Sequence, residues 1–515
     1  MARIVPPAVW ASQSVEGLGD DLMQHHTRRA AFTVVALLIV LLSAPPLVSA
    51  NHGAPVDDEA QRLLLRPDLR AEVDLAALPR YTIDAAIDLT TATLRATERV
   101  TVRGPAGQPL DRLVFRLLPN ATSIYGGGCL TIDEVLRGDA PATWEVSPDG
   151  TVLTVRLEPA LQPGESLEIA LTFWSRIPRG GGYNILAHSA SVTSLAGWYP
   201  VLAPYEGGWQ VAPVPTVGDA NHFATGLYDV TLTAPATHEV VATGTTLDVR
   251  QEGDSRVWHL VSGPARGFAI ALSDRFQAHA AERDGVTIRY HALLSSGGRS
   301  PEEALAMAAD SFGVYSHRFG PYPYTEFDVV ETLVTVGGYE FAGMVYVQRS
   351  LRASGSTSQL RFIVSHEVAH QWWYALVGSD PVSEPWLDEA LATYSVALYL
   401  EEVYGEAASR NMVAYFAHEG GRPNGATPGI DVSALDYTSW PAYRRPVYYR
   451  GALFLDALRR ELGDDAFFAM LRAYAREHRF GMATTRHLTD AAERFAGRSL
   501  DKVFQLWFGT PDPGV

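Results

Sequence analysis

The chain has 515 residues, 47% of them hydrophobic and 19% charged, which gives apolar surface enough for folded cores and too little charge for a disordered polymer. At about 150 residues per domain this length suggests roughly three units. The formal net charge of −17 argues against nucleic acid or anionic lipid as a partner, because a phosphate backbone would be repelled.

Residues 30–42, AAFTVVALLIVLL, follow the basic pair Arg28 and Arg29 and precede SAPPLVSA. A charged flank, a short apolar run and small residues predict a secretory signal within a leader over 1–50, with cleavage near Ala50. The run is shorter than the ~18 residues that span a bilayer, yet Ala44–Val48 extends it, so a membrane tether through residues 30–48 is the alternative. Residues 1–22 are long and mixed in charge for such a leader, whereas a start at Met23 gives a compact basic one. Export is therefore the expected fate, whether periplasmic, secreted or anchored facing outward. Cys129 is the single cysteine, so no internal disulfide can form and stability must come from packing and metal.

After a linker over 51–79, residues 80–277 repeat short alternating runs such as YTIDAAIDL, TVLTVRLEP, SLEIALTFW and YDVTLTAP. Period-two alternation broken by Gly, Pro, Asp and Asn clusters predicts half-buried antiparallel strands, with RGGGYN and YEGGWQ as loops. Near residue 278 the period changes. SPEEALAMAADSFGVYSHRFG carries Ser300 as a cap, Pro301 in the first turn and apolar residues at helical spacing, which opens a second domain over 278–515. Strand-like FDVVETLVTV and MVYVQ follow, then helices over 358–377, 386–403, 449–461, 464–477 and 484–496, with a long loop at 419–431. The fold class is α+β, a β-rich half before a mainly helical one.

The helix pair at 358–403 holds the chemistry. In HEVAHQWW, His366 and His370 are one turn apart on one helical face, so both imidazoles can reach one ion while Glu367 aims at its open side. A two-His catalytic zinc site needs a third ligand and a position left for water. Glu389 in WLDEALATY follows His370 after 18 intervening residues, room for the first helix to end near Gly378, turn, and send back a second helix whose first turn favours a negative charge. Trp372, Trp373 and Trp386 are read as packing residues between these helices, and His222, His317, His418 and His478 as structural or surface groups.

HEVAHQWW followed by WLDEALATY resembles peptidase family M1, the aminopeptidase N family of zinc metallopeptidases. The resemblance implies one zinc ion held by His366, His370 and Glu389, with Glu367 as general base. It implies a saddle-shaped antiparallel β-domain before a thermolysin-like catalytic domain. The chain ends soon after VFQLWFG, so the large helical carboxyl-terminal domain of longer members is not expected. The family's Gly-x-Met-Glu-Asn motif, whose glutamate holds the substrate's free amine, is matched by GGYEF: Gly337 and Gly338 let a peptide backbone approach, and Glu340 takes the glutamate's place. Tyr339 stands where the family has Met and Phe341 where it has Asn, which leaves the pocket's shape open. In YYRGA, Tyr448 occupies the family's catalytic tyrosine position, 59 residues past Glu389, with Arg450 in place of Lys and Tyr449 as its neighbour.

The resemblance thus implies a zinc-dependent aminopeptidase acting on peptides with a free amino terminus, in which a metal-activated water attacks, Glu367 shuttles the proton and the neutral Tyr448 phenol stabilises the oxyanion. Two alternatives remain at this stage: a catalytically silent binding protein on a peptidase fold, and a zinc endopeptidase that would also cleave amino-blocked peptides. Oligomeric state is not legible.

Overall fold

In the computed structural model, residues 57–508 are described apart from 71–72, 295–297 and 422–428. The predicted signal or tether at 30–48 and the middle of the predicted loop at 419–431 lie outside the described residues. Among the described residues, no helix is long and apolar enough to cross a membrane.

The alternation of the first half becomes sheet. Arg80–Asp88 buries Tyr81, Ile83, Ala85 and Ile87 and turns the residues between them outward, as a strand's opposite-facing side chains require. This strand lies within an eight-stranded sheet, antiparallel to Thr93–Arg103 on one side. On its other side it pairs with Thr225–Pro235 in parallel, the one departure from the antiparallel expectation in this sheet. Two four-stranded sheets complete the β half, one of them centred on Leu110–Arg116 and Val152–Leu161. The stretch expected as linker also carries structure. Asp58–Leu63 is a helix capped by Asp57, and the fully buried Gln61 donates to the carbonyls of Tyr228 and Ser262.

The second half is built on a five-stranded mixed sheet in the order Phe276–Arg283, Val286–Leu293, Glu326–Thr332, Met344–Gln348, Gly338–Phe341. The three central strands run parallel and the outer two antiparallel to their neighbours. FDVVETLVTV and MVYVQ supply the third and fourth of these, as predicted. Phe276–Arg283 escaped the periodicity because its residues after Phe276, QAHAAER, are small or polar and none of the strand is fully buried, so no continuous apolar face is written into it. Helix Pro301–Phe319 then covers the sheet, started by Pro301 and by Ser300, whose Oγ accepts from the Glu303 amide at 3.2 Å. The remaining predicted helices appear as Trp386–Tyr404, Gly451–Leu462, Asp464–Glu477 and Thr485–Ala496.

The helix expected over 358–377 is the exception. It runs only from Thr357 to Ala369, opened by a Ser356–Gln359 capping box, and His370 ends it. The backbone then widens, with the Ala375 amide on the His370 carbonyl at 2.9 Å and Val377 on Trp372 at 3.0 Å. Two side chains break the ladder: His370 Nδ1 takes the Trp373 carbonyl at 2.9 Å, and the buried Arg266 takes that of Tyr374, also at 2.9 Å. The backbone leaves helical geometry at Trp373 (φ −104°, ψ 60°) and Tyr374 (φ 163°, ψ −65°), and their carbonyls turn to these side-chain donors.

Candidate metal centre and active site

Each predicted ligand is delivered by a packed element. The Thr357–Ala369 helix is fixed by Tyr315, whose hydroxyl donates to the Ser365 carbonyl at 3.0 Å, and by Gln371, which bridges to the Gly338–Phe341 hairpin through the Phe341 carbonyl and the Gly343 amide, both at 2.9 Å. The Trp386–Tyr404 helix is tied back by Trp373, whose indole donates to Ser395 Oγ at 3.1 Å. Trp372, Trp373 and Trp386 are almost wholly buried, so the three tryptophans hold the helices together as the sequence suggested.

His366, His370 and Glu389 converge at this junction. Their facing atoms are 3.1 Å (His366 Nε2 to His370 Nε2), 3.2 Å (His366 Nε2 to Glu389 Oε2) and 3.6 Å (His370 Nε2 to Glu389 Oε2) apart. Ligands about 2.0–2.1 Å from a tetrahedral zinc ion stand about 3.3 Å from one another, so the spacing fits one such ion. The tautomer fits as well. A carbonyl can only accept, so His370 Nδ1 carries hydrogen toward Trp373 and Nε2 faces the centre. Burial lowers this imidazole, but Glu340, Glu389 and Glu367 outweigh it and hold it well above its ordinary range, so an ion bound there would displace the Nε2 proton. Charge makes the same demand: Asp219, Glu340, Glu367, Asp388 and Glu389 are all buried. Asp219 is met chiefly by the Tyr339 hydroxyl and backbone amides, and the other four act on one another and on the imidazoles, with no arginine or lysine among the leading groups. Such a nest of carboxylates calls for cations.

The consequences differ group by group. Burial alone pushes Glu389 up, but the hydrogen bonds of His366 and His370 outweigh it and hold the carboxyl at about 2. Burial raises Glu367 to about 8 against the pull of His370, and one of its oxygens has no hydrogen-bond partner. Glu340 is pushed well above the ordinary carboxylate range, first by burial and then by Asp219 and Glu367, again against His370.

Glu367 lies over Gly338, where an added Cβ would fall 2.2 Å from its Oε1. Gly338 therefore makes room for the predicted base itself, a role beyond the backbone approach expected of it. Gly337 takes a φ of 99°, which a side chain would resist. Glu340 follows on the same strand and, with Glu367 and His370, forms a second cluster whose ligand atoms lie within 4.8 Å of one another. Tyr339, the residue in the family's Met position, is buried and donates its hydroxyl to Asp219.

The two tyrosines of YYRGA separate cleanly. Tyr448 is half-buried, stacks on His366 with ring centroids 5.7 Å apart, and donates its hydroxyl to Glu389 Oε1. Tyr449 is buried against Phe416 and Tyr415, away from the ligands. The glycine of the motif matters too: a Cβ on Gly451 would fall 2.5 Å from Ala390 Cβ, so its absence lets this segment approach the Glu389 helix. Of the other histidines, His222 sits 3.6 Å from Asp380, His418 is exposed, and His478 packs on His487. Sequence reasoning missed Asp219, Tyr183 and Arg266. Asp219 lies in the segment GDANHF, and Tyr183 in RGGGYN, read only as a loop.

A β-rich half followed by a mainly helical half, with two histidines and a glutamate brought together from neighbouring helices, sets a candidate metal centre in an α+β fold. Residues 303–507 match the family model described as the Peptidase family M1 domain. The chain is similar to the aminopeptidase N of Streptomyces lividans, 24% identical over 479 residues, covering 87% of this chain and 52% of the relative. It also matches the aminopeptidase N of Lactococcus lactis subsp. lactis, 29% identical over 31% of this chain and 19% of that one. It thus spans about half the length, or less, of the curated relatives it matches. Among solved structures, the M1 zinc metallopeptidase from Deinococcus radiodurans shares the fold with a TM-score of 0.66 and 21% identity, over 85% of this chain and 95% of that one. A variant of that enzyme, described as bound to a Tyr-Ser-Ala substrate, aligns with a TM-score of 0.65 at 21% identity, over the same shares of the two chains.

Proposed function

We propose that the protein is a zinc-dependent aminopeptidase that removes the first residue from peptides with a free amino terminus. The observation that carries this reading is the convergence of His366, His370 and Glu389 beside Glu367, Glu340 and Tyr448. Zinc bound there supplies a Lewis acid for the scissile carbonyl and lowers the pKa of an adjacent water.

The chain's own groups do the rest. Glu367, packed over Gly338 with one free oxygen, takes the proton of the attacking water and passes it to the leaving amine. Tyr448 now gives its O–H to Glu389; in the reaction the same O–H turns to the oxyanion that forms as water adds. Glu340 receives the substrate's ammonium, whose charge draws the buried carboxyl back to its ionised form, and the low-dielectric setting then strengthens that charge-assisted contact while excluding a blocked, uncharged terminus. This last group favours an exopeptidase over the endopeptidase alternative, and the retention of base and ligands together argues against a silent binding protein.

The test is Glu367→Gln. The amide keeps the shape of the side chain and cannot accept the proton, so kcat should fall by about 10²–10⁴-fold while bound zinc, measured by plasma mass spectrometry, stays level with the parent. A variant that holds zinc and retains most of its turnover refutes the assignment.

A further inference from the structure

The glycine-rich loop RGGGYN, residues 179–184, is not part of the metal chemistry, yet it is clamped against the strand that bears Glu340. The Thr335 amide donates to the Tyr183 carbonyl at 3.2 Å, and Asn184 Nδ2 to the Leu333 carbonyl at 3.0 Å, just before Gly338–Phe341 begins. Gly182 makes the close turn possible, with φ of 55° and a would-be Cβ only 2.2 Å from the Ile124 carbonyl oxygen. The loop thereby carries one side chain from the β half, Tyr183, to the catalytic half. Its ring stacks on Trp440 at 5.9 Å and 29°.

Trp440 is in turn backed by the buried Tyr443, nearly parallel at 5.5 Å and 15°, and meets Tyr448 edge-on at 6.1 Å and 86°. Tyr183 and Trp440 are both half-buried, so each keeps ring surface open. The Tyr183 hydroxyl accepts from the Gly218 amide at 3.0 Å, one residue from Asp219, and both Asp219 and Glu389 act on it electrostatically. Tyr183 thus meets the Asp219 segment and Trp440 meets Tyr448, whose hydroxyl reaches Glu389, so the pair bridges the short span from the side of Asp219 and Glu340 to the ligand trio. In an aminopeptidase that span holds the substrate's first Cα, from which its first side chain branches.

We propose that Tyr183 and Trp440 form the wall that receives the first side chain of the substrate and select peptides beginning with an aromatic or large apolar residue. The inference rests on the aminopeptidase reading and deepens it. Open ring faces reward an apolar or aromatic group through burial and ring packing, whereas a methyl side chain leaves them wet. The two rings come from opposite halves of the molecule, so the preference is set at their junction.

The test uses 4-nitroanilides of Trp, Phe, Leu, Ala and Arg with the zinc-loaded parent, Trp440→Ala, Tyr183→Ala and the conservative Trp440→Phe. The parent should favour Phe and Trp over Ala by about tenfold or more in kcat/KM. Both alanine variants should lower that ratio by about fivefold or more, mainly through KM, and Trp440→Phe should restore most of it. Equal losses on all five anilides, or a parent that prefers Ala or Arg, overturn this assignment alone. No cleavage of any anilide by the zinc-loaded parent overturns the aminopeptidase reading and this one with it.

Discussion

Replacing Gly338 by alanine adds a single methyl group, and the structure says where it goes. The new Cβ would lie 2.2 Å from Glu367 Oε1, 2.3 Å from its Cδ and 2.4 Å from its Cγ. Ordinary contact requires about 3.5 Å, so the carboxylate must retreat by roughly 1 Å. The nearest obstacle is the mobile end of a side chain, and Gly338 is not among the residues with positive φ, so no backbone strain is added. The fold should absorb the change at an overpacking cost of about 1–3 kcal/mol. The chemistry should not, because a general base displaced by about 1 Å can lose on the order of 100-fold in rate. The assay is kcat on an amino-acid anilide, with zinc content and thermal unfolding measured on the same sample. Gly338→Ala should bind zinc, unfold near the parent temperature and turn over about 100-fold more slowly. A folded, zinc-loaded variant with parental kcat would refute the placement of Glu367 against this strand.

Two further variants probe the other roles. Tyr448→Phe removes the oxyanion donor and should cut kcat by about 10²–10³-fold without loss of zinc, while Tyr449→Phe, buried in the core, should stay near parental activity; similar losses in both would sink the distinction. Glu340→Gln removes the charge opposite the ammonium, worth about 1.5–3 kcal/mol, so kcat/KM for free peptides should drop by roughly 10–100-fold, largely in KM. Amino-acetylated peptides should remain uncut by parent and variant alike. Their cleavage by the parent would point to the endopeptidase alternative.

Much of this architecture is legible in the sequence because it rests on local periodicity. Arg80–Asp88 alternates visibly, and His366, Glu367 and His370 need only the pitch of a helix to meet. What could not be read depends on distant partners. The early end of the His366 helix leaves the Tyr374 carbonyl to Arg266, more than a hundred positions upstream. The partnership of Gly338 with Glu367 and of Gly451 with Ala390 exists only once strand and helices are packed, although both glycines were already marked by their motifs. Phe276–Arg283 is a strand by pairing alone, since its own residues bury no face. Tyr183 and Trp440, 257 positions apart in the sequence, meet because a glycine loop is pinned to the catalytic strand, a contact without any periodic signature.

The central claim is that His366, His370 and Glu389 grip one zinc ion, and X-ray absorption at the zinc edge on the purified protein tests it most directly. The account predicts one zinc per chain, with two imidazole nitrogens and carboxylate oxygen at about 2.0–2.2 Å, and loss of the ion in His366→Ala and Glu389→Ala. A folded parent that stays metal-free in excess zinc, or variants that keep the same ion in the same coordination, would contradict it.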